Sequence, residues 1–244
     1  MTYKPWHSWI GFDPREAAAF SVARSSLRRW HPYVPINGLV LSNLRNRGLY
    51  TRPTEKRLGR LWDTISGAYM STEFAISRFL VPELVKRSKQ PKPWGWAIFT
   101  DCDVLFRGSI TPMIAALQDA KAVYCVKHEY KPAQDIKMDG QIQVAYPRKN
   151  WSSVMAINID HPANAALSVE MVNALPGRDL HRFCWLNDKD IGGLSPTYNY
   201  LVGETQAKIR PTIVHFTLGC PTMPGCSGAE YADEWWDQLD RWAA

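Results

Sequence analysis

One short segment constrains the fold of this chain more than any other. Residues 94–100 are mostly aromatic or apolar, and they run directly into Asp101-Cys102-Asp103 and a second apolar run, Val104–Phe106. A continuous apolar run of this length is typical of a buried parallel strand that ends at the carboxyl edge of a sheet. Two carboxylates one residue apart at such an edge need a cation, unless they lie in a solvated turn. The pattern favours a site for Mg²⁺ or Mn²⁺, cations that also bind diphosphates.

Strand-like and helix-like segments alternate along the 244 residues, which predicts an α/β fold with a mostly parallel, Rossmann-like central sheet flanked by helices. A first strand is expected to end near residues 10–12. Further strands are expected at 34–41, 123–127, 153–160 and 210–216, and helices at 17–27, 72–87, 163–175 and 231–242. Residues 42–66 are polar and basic and are expected to be mostly loop. No repeat or Gly/Ser linker divides the chain, so residues 1–244 are expected to form one domain.

The turn after the first strand can serve both structure and ligand binding. Asp13 suits the N-cap of the following helix, Pro14 suits its first position, and Glu16 is spaced to complete a capping box. A strand-to-helix turn also presents free backbone N–H groups to a ligand at the edge where open α/β sheets bind nucleotides. The two interpretations are compatible.

The charge balance indicates anionic partners. The formal net charge is +6 and the pI is about 9.1, which favours nucleotides, nucleic acid or acidic glycans. Five cysteines without a Cys-x-x-Cys pair indicate free thiols in a reducing compartment. No apolar run reaches the roughly 18 to 20 residues of a membrane span, and residues 1–10 lack the apolar core of a secretory signal. A cytoplasmic protein is therefore expected.

The stretch at residues 98–106, Ile-Phe-Thr-Asp-Cys-Asp-Val-Leu-Phe, resembles the Asp-x-Asp strand of GT-A fold glycosyltransferases, in particular the retaining glycogenin and bacterial galactosyltransferase group. Further segments resemble those of the group in the same order. They are Thr72-Glu73-Phe74 with residues 78–82, residues 150–158, residues 187–191 with 198–201, and His215-Phe216 with Gly219. The chain as a whole also resembles short bacteriophage and prophage glycosyltransferases nearly end to end.

This resemblance implies a divalent cation and a nucleotide-sugar donor, and a UDP-sugar such as UDP-glucose is expected. Asp101, Asp103 and His215 would hold Mn²⁺ or Mg²⁺. The implied donor-binding residues are Gly11, Phe12, Asp13, Arg15, Arg78, Asp101 and Cys102, and the implied catalytic residues are Asp188, Lys189 and Asp190. Lys189 stands where the group often has glutamine, and residues 220–225 lack the lysine that the group usually supplies for the diphosphate. Retention of anomeric configuration is thus implied by resemblance alone.

Residues 127–151 mix basic, amide and aromatic groups without helical spacing, and are expected to form the acceptor side. The acceptor-side residues are Lys137, Lys149, Asn150 and Trp151. The phage likeness and the basic pI favour a hydroxymethylated pyrimidine, such as 5-hydroxymethylcytosine in double-stranded DNA, modified in a bacterial host cytoplasm. Two alternatives stay open, which are a saccharide or surface-glycan acceptor and a non-catalytic module that binds a nucleotide sugar or nucleic acid.

Overall fold

The computed structural model describes residues 4–88, 92–128, 148, 150–205 and 207–243. The strands in these ranges are β1 (Trp6–Gly11), β2 (Ile36–Leu39), β3 (Thr54–Arg57), β4 (Arg60–Asp63), β5 (Ala68–Tyr69), β6 (Trp96–Thr100), β7 (Val104–Phe106), β8 (Val123–Cys125), β9 (Val154–Asn158), β10 (Ile191–Gly193), β11 (Tyr200–Leu201) and β12 (Ile213–His215). The helices are α1 (Ala17–Trp30), α2 (Leu41–Asn46), α3 (Val81–Lys86), α4 (Thr111–Ala116), α5 (Val169–Ala174), α6 (Gly177–His181) and α7 (Ala232–Ala243). No helix in the described ranges is long and apolar enough to cross a membrane.

A six-stranded sheet in the order β10-β8-β9-β6-β1-β2 forms the centre of the fold. All its strands are parallel except β9, which is antiparallel to both of its neighbours. Every residue of β6 and β9 is buried, which explains why their sequences are continuously apolar instead of alternating. The expected α/β fold with a mostly parallel central sheet and flanking helices is confirmed.

The register of the sheet brings the end of β1 beside the end of β6, where Ile10 pairs with Thr100. The next residue after Ile10 is Gly11, and a Cβ atom there would lie 2.4 Å from the Phe74 ring. Glycine at this position lets the segment before α3 pack directly on the end of β1. The segment that begins at Ser71 is thereby held next to the edge at which Asp101 emerges.

A second small sheet and two helices close the other side of this edge. Strand β12 lies between β11 and β7, and it pairs antiparallel with β7. Helix α1 packs against β7 and α7. Their apolar contacts form a second core that includes Ala19, Val22, Val214, Phe216 and Trp235. This packing fixes β12, and with it His215, against the strand that follows Asp103.

The expectation of a loop over residues 42–66 is wrong. This stretch forms α2 and the β3–β4 hairpin, which continues into β5 as a three-stranded antiparallel sheet. Leu58 and Gly59, between β3 and β4, have φ of 49° and 77°, as a tight primed hairpin turn requires. Most of β3 is exposed, so its sequence lacks the alternation of apolar and polar residues that marks a half-buried strand.

Two predicted helices are each divided into two shorter pieces. Within residues 72–87 a 3-10 turn, Ser77–Leu80, precedes α3, and Pro82 lies in the first turn of that helix. Within 163–175 the 3-10 turn Pro162–Ala166 is followed by α5, whose N-cap Ser168 accepts a hydrogen bond from the Met171 N–H. Both interruptions follow from local capping chemistry, because Pro fits the start of a helix and Ser its N-cap.

Candidate active site

Two aspartates and a histidine meet at the carboxyl edge of the central sheet. Asp101 directly follows β6, and Asp103 directly precedes β7. His215 ends β12, and the antiparallel register pairs it with Val104, the neighbour of Asp103. A backbone hydrogen bond of 2.9 Å from Phe216 N–H to the Asp103 carbonyl extends this pairing. One candidate ligand atom from each of Asp101, Asp103 and His215 lies within 4.8 Å of the other two.

The chemistry of these three groups fits a divalent cation. His215 Nε2 lies 3.2 Å from Asp103 Oδ1, a separation that suits two ligand atoms of one cation. Asp101 Oδ1 and Asp103 Oδ1 are both buried, and each has one close polar neighbour, Arg78 Nη1 at 2.7 Å and His215 Nε2 at 3.2 Å, without a well-aligned hydrogen bond. Two carboxylates buried side by side repel each other, and a bound cation would offset that repulsion. Two carboxylates with one imidazole make a mixed oxygen and nitrogen ligand set that suits Mn²⁺.

The electrostatics of the cluster also favour a bound cation. Burial opposes charge on Asp103, but the adjacent His215 holds the pKa of Asp103 below its usual value. Burial likewise opposes charge on His215, and Asp103 raises the pKa of this imidazole above its usual value. Burial raises the pKa of Asp101 in spite of Arg78, whose Nη1 lies 2.7 Å from Asp101 Oδ1. A cation would replace the His215 proton and favour the ionised form of both carboxylates.

A cleft of about 430 Å³ opens over the cluster and brings together residues from distant parts of the chain. Arg15, which donates to the Ser71 carbonyl, lines it together with Glu16 and Thr72. The lining also includes Asn150, Ser152, Ser153 and His181, and the stretch after β12 from Phe216 to Cys220. Arg78 lines the cleft as well and donates from Nη1 to the Ser152 carbonyl, 2.9 Å away. One cleft therefore contains the predicted metal ligands together with Arg15 and Arg78, two arginines predicted to bind the donor.

Asp13, predicted to bind the donor, has both of its carboxylate oxygens hydrogen-bonded within the protein. Its side chain is buried, and Oδ1 accepts from the backbone N–H and Nε of Arg15 at 2.9 and 3.0 Å. Oδ2 accepts from Arg15 Nη2 and from the Glu73 N–H at 2.7 and 2.9 Å. Asp13 thus caps the 3-10 turn Pro14–Glu16 and ties it to the segment before α3. This geometry does not support a direct contact between Asp13 and the donor.

Most of the other predicted donor-binding residues near Asp13 also contact the protein itself. Gly11 is buried against Phe74, and the half-buried Phe12 packs edge to face on Phe20. Cys102 is buried and donates its thiol hydrogen to Glu16 Oε2, 2.9 Å away. Of the predicted donor-binding residues near the first turn, Arg15 is the one whose side chain reaches the cleft among the described residues.

Glu16 is a cleft residue that sequence reasoning assigned to a capping box. Its carboxylate accepts the Cys102 thiol and lies near Asp103 instead of capping the turn, whose N-cap bond runs from Arg15 N–H to Asp13. Burial, followed by repulsion from Asp103, raises the pKa of Glu16 to about 7. Spacing alone could not reveal this, because the same Asp-x-x-Glu pattern fits both a capping box and a helix start that faces a ligand.

The variant Glu16→Gln is expected to stabilise the metal-free protein at neutral and alkaline pH. Between the ordinary pKa of 4.5 and the raised value of about 7, the folded protein keeps a proton that the unfolded chain has lost, so stability falls as pH rises through this window. A glutamine cannot ionise, so the free energy of unfolding should rise by about 2 kcal/mol near pH 8, and by less near pH 5. Urea denaturation in EDTA measures the free energy of unfolding at the two pH values. The exposed Glu55→Gln serves as the control, and an equal difference at the two pH values would contradict the assignment.

Asp188, Lys189 and Asp190, predicted to be catalytic, form a 3-10 turn directly before β10. Strand β10 runs parallel to β6, so residues that precede β10 lie at the edge where β6 begins, whereas Asp101 lies where β6 ends. The Asp190 carbonyl accepts from Ala122 N–H, before β8, and Asp188 pairs with Arg148. The described residues that line the cleft do not include this triplet. The structure therefore does not bring this triplet to the described cleft, and the catalytic role that the resemblance implied stays a prediction.

On the predicted acceptor side the structure describes two of the four residues. Asn150 lines the cleft, with φ of 62°, whereas the half-buried Trp151 donates from Nε1 to the His128 carbonyl at 3.2 Å. Lys137 and Lys149 lie outside the described residues.

Two further residues of the cleft, Ser152 and His181, were not predicted from the sequence. Ser152 Oγ and His181 Nδ1 are 2.7 Å apart, and burial lowers the pKa of His181 to about 3, so its ring is neutral. Helix α6 carries His181 into the cleft from a position that no motif marked.

Comparison with known proteins gives one similar curated sequence and a set of similar structures. No protein-family model matches the chain. Protein CDI of Arabidopsis thaliana is 38% identical over 245 residues, which cover 98% of this chain and 88% of that protein. Among solved structures, the bifunctional glycosyltransferase WbbM superposes with a TM-score of 0.62 at 11% identity, covering 98% of this chain and 50% of that one. This chain thus spans about half of WbbM.

Two further structures have the same fold. The galactosyltransferase LgtC, solved with donor and acceptor sugar analogues, superposes with a TM-score of 0.56 at 12% identity over 96% of this chain and 95% of its own. The glycosyltransferase GlyE of Streptococcus pneumoniae TIGR4 gives 0.59 at 13% identity, over 99% of this chain and 63% of its own. At these identities the comparisons show a shared GT-A glycosyltransferase fold.

Proposed function

The chain belongs to the family of the Arabidopsis thaliana Protein CDI, and from this premise and its fold we propose that it is a metal-dependent glycosyltransferase using a nucleotide-sugar donor. The observation that carries the proposal is the cluster of Asp101, Asp103 and His215 at the floor of a cleft that also contains Arg78 and Arg15. A cation site beside buried and half-exposed arginines is suited to a diphosphate.

The residues of the cleft would have different roles in activating the donor. Asp101, Asp103 and His215 would hold Mn²⁺ or Mg²⁺, which supplies positive charge to the diphosphate as it leaves the sugar. Arg78 is fixed by Asp101 and by the carbonyls of Ala75 and Ser152, so its guanidinium is pre-oriented at the floor of the cleft. Arg15 is held by Asp13 and the Ser71 carbonyl, with its side chain 48% exposed at the rim. Fixed cations of this kind stabilise developing negative charge without reorganising during the reaction.

The acceptor would approach from the side formed by Asn150, Ser152 and His181. A neutral His181 hydrogen-bonded to Ser152 offers polar groups for a hydroxyl acceptor without adding charge. Two acceptor classes have support. LgtC, which has the same fold, was solved with an acceptor sugar analogue, and this favours a saccharide. The net charge of +6 favours an anionic acceptor, which keeps a hydroxymethylated base in DNA as the second candidate. Retention of configuration remains part of the proposal, on the strength of the resemblance.

The experiment that tests the proposal incubates the protein and Mn²⁺ with a panel of nucleotide sugars, first alone and then with oligosaccharides or hydroxymethylated duplex DNA. Release of nucleoside diphosphate is measured, and the anomeric configuration of the product is read by NMR. We expect release from one donor that requires an acceptor and stops when EDTA is added. Release with oligosaccharide alone selects the saccharide, and release with modified DNA alone selects the base.

The panel also separates an enzyme from a non-catalytic binding module. A module that retains the fold would bind a nucleotide sugar, detectable by calorimetry, yet would show no release with any acceptor class. Absence of binding by all donors in the presence of Mn²⁺ would refute both versions of the proposal.

A further inference from the structure

Asn199 is a buried asparagine next to the proposed metal site that no motif assigned a role. It lies between the 3-10 turn Pro196–Tyr198 and β11, and its side chain has no solvent exposure. Its Oδ1 lies 3.0 Å from His215 Nδ1, on the side of the imidazole opposite Asp103. Its Nδ2 lies 2.9 Å from Ser153 Oγ and 3.0 Å from His128 Nε2. The amide therefore contacts His215 on one side and two other polar groups on the other.

The surroundings fix which way this amide points. Ser153 Oγ donates its hydrogen to the Asn150 carbonyl at 2.8 Å, so toward Asn199 it can only accept. The Asn150 carbonyl itself lies 3.5 Å from Nδ2. A reversed amide would turn its oxygen toward this carbonyl, and Ser153 would have to give up its hydrogen bond to Asn150 in order to donate to that oxygen. The NH₂ group therefore faces Ser153 and His128, and the carbonyl oxygen faces His215.

The orientation of Asn199 favours one tautomer of His215. An amide oxygen can only accept, so Asn199 favours a hydrogen on Nδ1, whereas Asp103 competes for a hydrogen on Nε2 until a cation binds there. The lone pair is then on Nε2, which lies 3.2 Å from Asp103 Oδ1. Without Asn199, the favoured neutral tautomer would carry its hydrogen on Nε2 and donate it to Asp103. That hydrogen bond would occupy the two atoms that a cation needs.

We propose that Asn199 is a positioning residue that holds His215 in the Nδ1–H tautomer, with Nε2 free to bind the cation shared with Asp101 and Asp103. This inference rests on the proposed metal site and deepens it. Groups that orient a ligating histidine through its second nitrogen contribute about 10- to 100-fold to metal affinity. Ser153 takes part indirectly, because it sets the direction of the Asn199 amide.

The first test is the dissociation constant for Mn²⁺, measured by titration calorimetry without nucleotide sugar. Asn199→Leu, which keeps the approximate size and removes the acceptor, should weaken binding by about 10- to 100-fold. Asn199→Asp keeps an acceptor oxygen toward Nδ1 and should bind far more tightly than the leucine variant. Ser153→Ala leaves Asn199 in place and should weaken binding less than Asn199→Leu.

The matched control is Asn164→Leu. Asn164 also has no solvent exposure, and it donates to the carbonyls of Ala122 and Asn158 and accepts from Trp185 Nε1, away from the cleft. It should lose stability like Asn199→Leu and keep wild-type Mn²⁺ affinity. If Asn199→Leu does not fold, the comparison of Ser153→Ala with Asn164→Leu carries the same test. Equal affinity of the folded Asn199→Leu or Ser153→Ala variant and the wild type would overturn the inference.

A second measurement reads the tautomer directly. In the metal-free protein, at a pH where the ring is neutral, nitrogen-15 NMR should show a larger fraction of His215 with its hydrogen on Nδ1 in the wild type than in Asn199→Leu, and equal fractions would contradict the inference. Failure of the underlying metal site gives a different result. In that case the wild type does not bind Mn²⁺, or Asp103→Asn binds it as tightly, whatever the state of residue 199.

Discussion

Asp103→Asn is expected to lower turnover by about 10²- to 10³-fold, comparable to the loss of a fixed charge-stabilising group in other enzymes. The substitution keeps the shape of the side chain and removes the charge that binds the cation. The Asp103 carbonyl still accepts the Phe216 N–H, so the β7–β12 pairing should persist. The rate of nucleoside diphosphate release at saturating donor and acceptor measures the effect, and circular dichroism verifies the fold.

The control for this variant is Asp160→Asn, because Asp160 is an exposed aspartate that accepts the Gly95 N–H, remote from the cleft. Its turnover should stay within a few-fold of wild type. If Asp103→Asn kept wild-type turnover and metal dependence, the assignment of the ligands would be wrong.

The largest expected loss of stability is that of Asp63→Ala. Asp63 and Arg52 are both buried, and they are joined by a bidentate pair in which Nε lies 2.9 Å from Oδ1. Arg52 also donates to the carbonyls of Val172 and Leu175 at 2.7 Å, so the pair ties the hairpin sheet to α5. Removing the carboxylate leaves a guanidinium buried without its counterion, which costs about 3 to 5 kcal/mol. Urea denaturation of the wild type and the variant measures the free energy of unfolding.

An exposed ion pair in the same sheet gives the comparison. Glu55 and Arg57 are 53% and 44% exposed, and Glu55→Ala should cost no more than about 1 kcal/mol. The double variant Arg52→Met with Asp63→Leu should recover part of the loss, since it removes both charges. A cost below about 1 kcal/mol for Asp63→Ala would show that Arg52 is satisfied by the two carbonyls alone.

The sequence predicts the parts of the fold that burial dictates. Strands β6 and β9 are wholly buried, so their apolar runs are unambiguous. Strands β3 and β4 are held in place by the Arg52–Asp63 pair and by main-chain hydrogen bonds, and these long-range interactions leave no periodic signal in residues 42–66. The predicted helix at 72–87 has apolar residues at helical spacing. Phe74, Ile76 and Phe79 are buried, but they pack near Gly11, Gly177 and His181 respectively, in different elements, so their spacing reflects burial instead of one helical face.

The same contrast holds at the candidate site. Asp101 and Asp103 could be identified because two carboxylates directly after a buried strand are costly to place there without a cation, and the resemblance added His215 and Arg78. The resemblance pointed to Asp188–Asp190, which do not line the described cleft, whereas Ser152 and His181 line it without any motif that marked them.

The first turn shows why nearby carboxylates are hard to assign from sequence. Asp13 was expected to bind the donor and instead caps the turn, whereas Glu16 was expected to complete the cap and instead lines the cleft. Which of the two carboxylates caps the turn depends on the contacts of Arg15 and Cys102, and these form only in three dimensions.

Anomalous diffraction from crystals soaked with Mn²⁺ and a nucleoside diphosphate would locate the cation and the donor diphosphate together. We expect one strong manganese peak within bonding distance of Asp101, Asp103 and His215 Nε2, with the diphosphate bound to the same ion and facing Arg78. A diphosphate bound elsewhere, or manganese bound away from these three side chains, would contradict the proposed metal-dependent transfer.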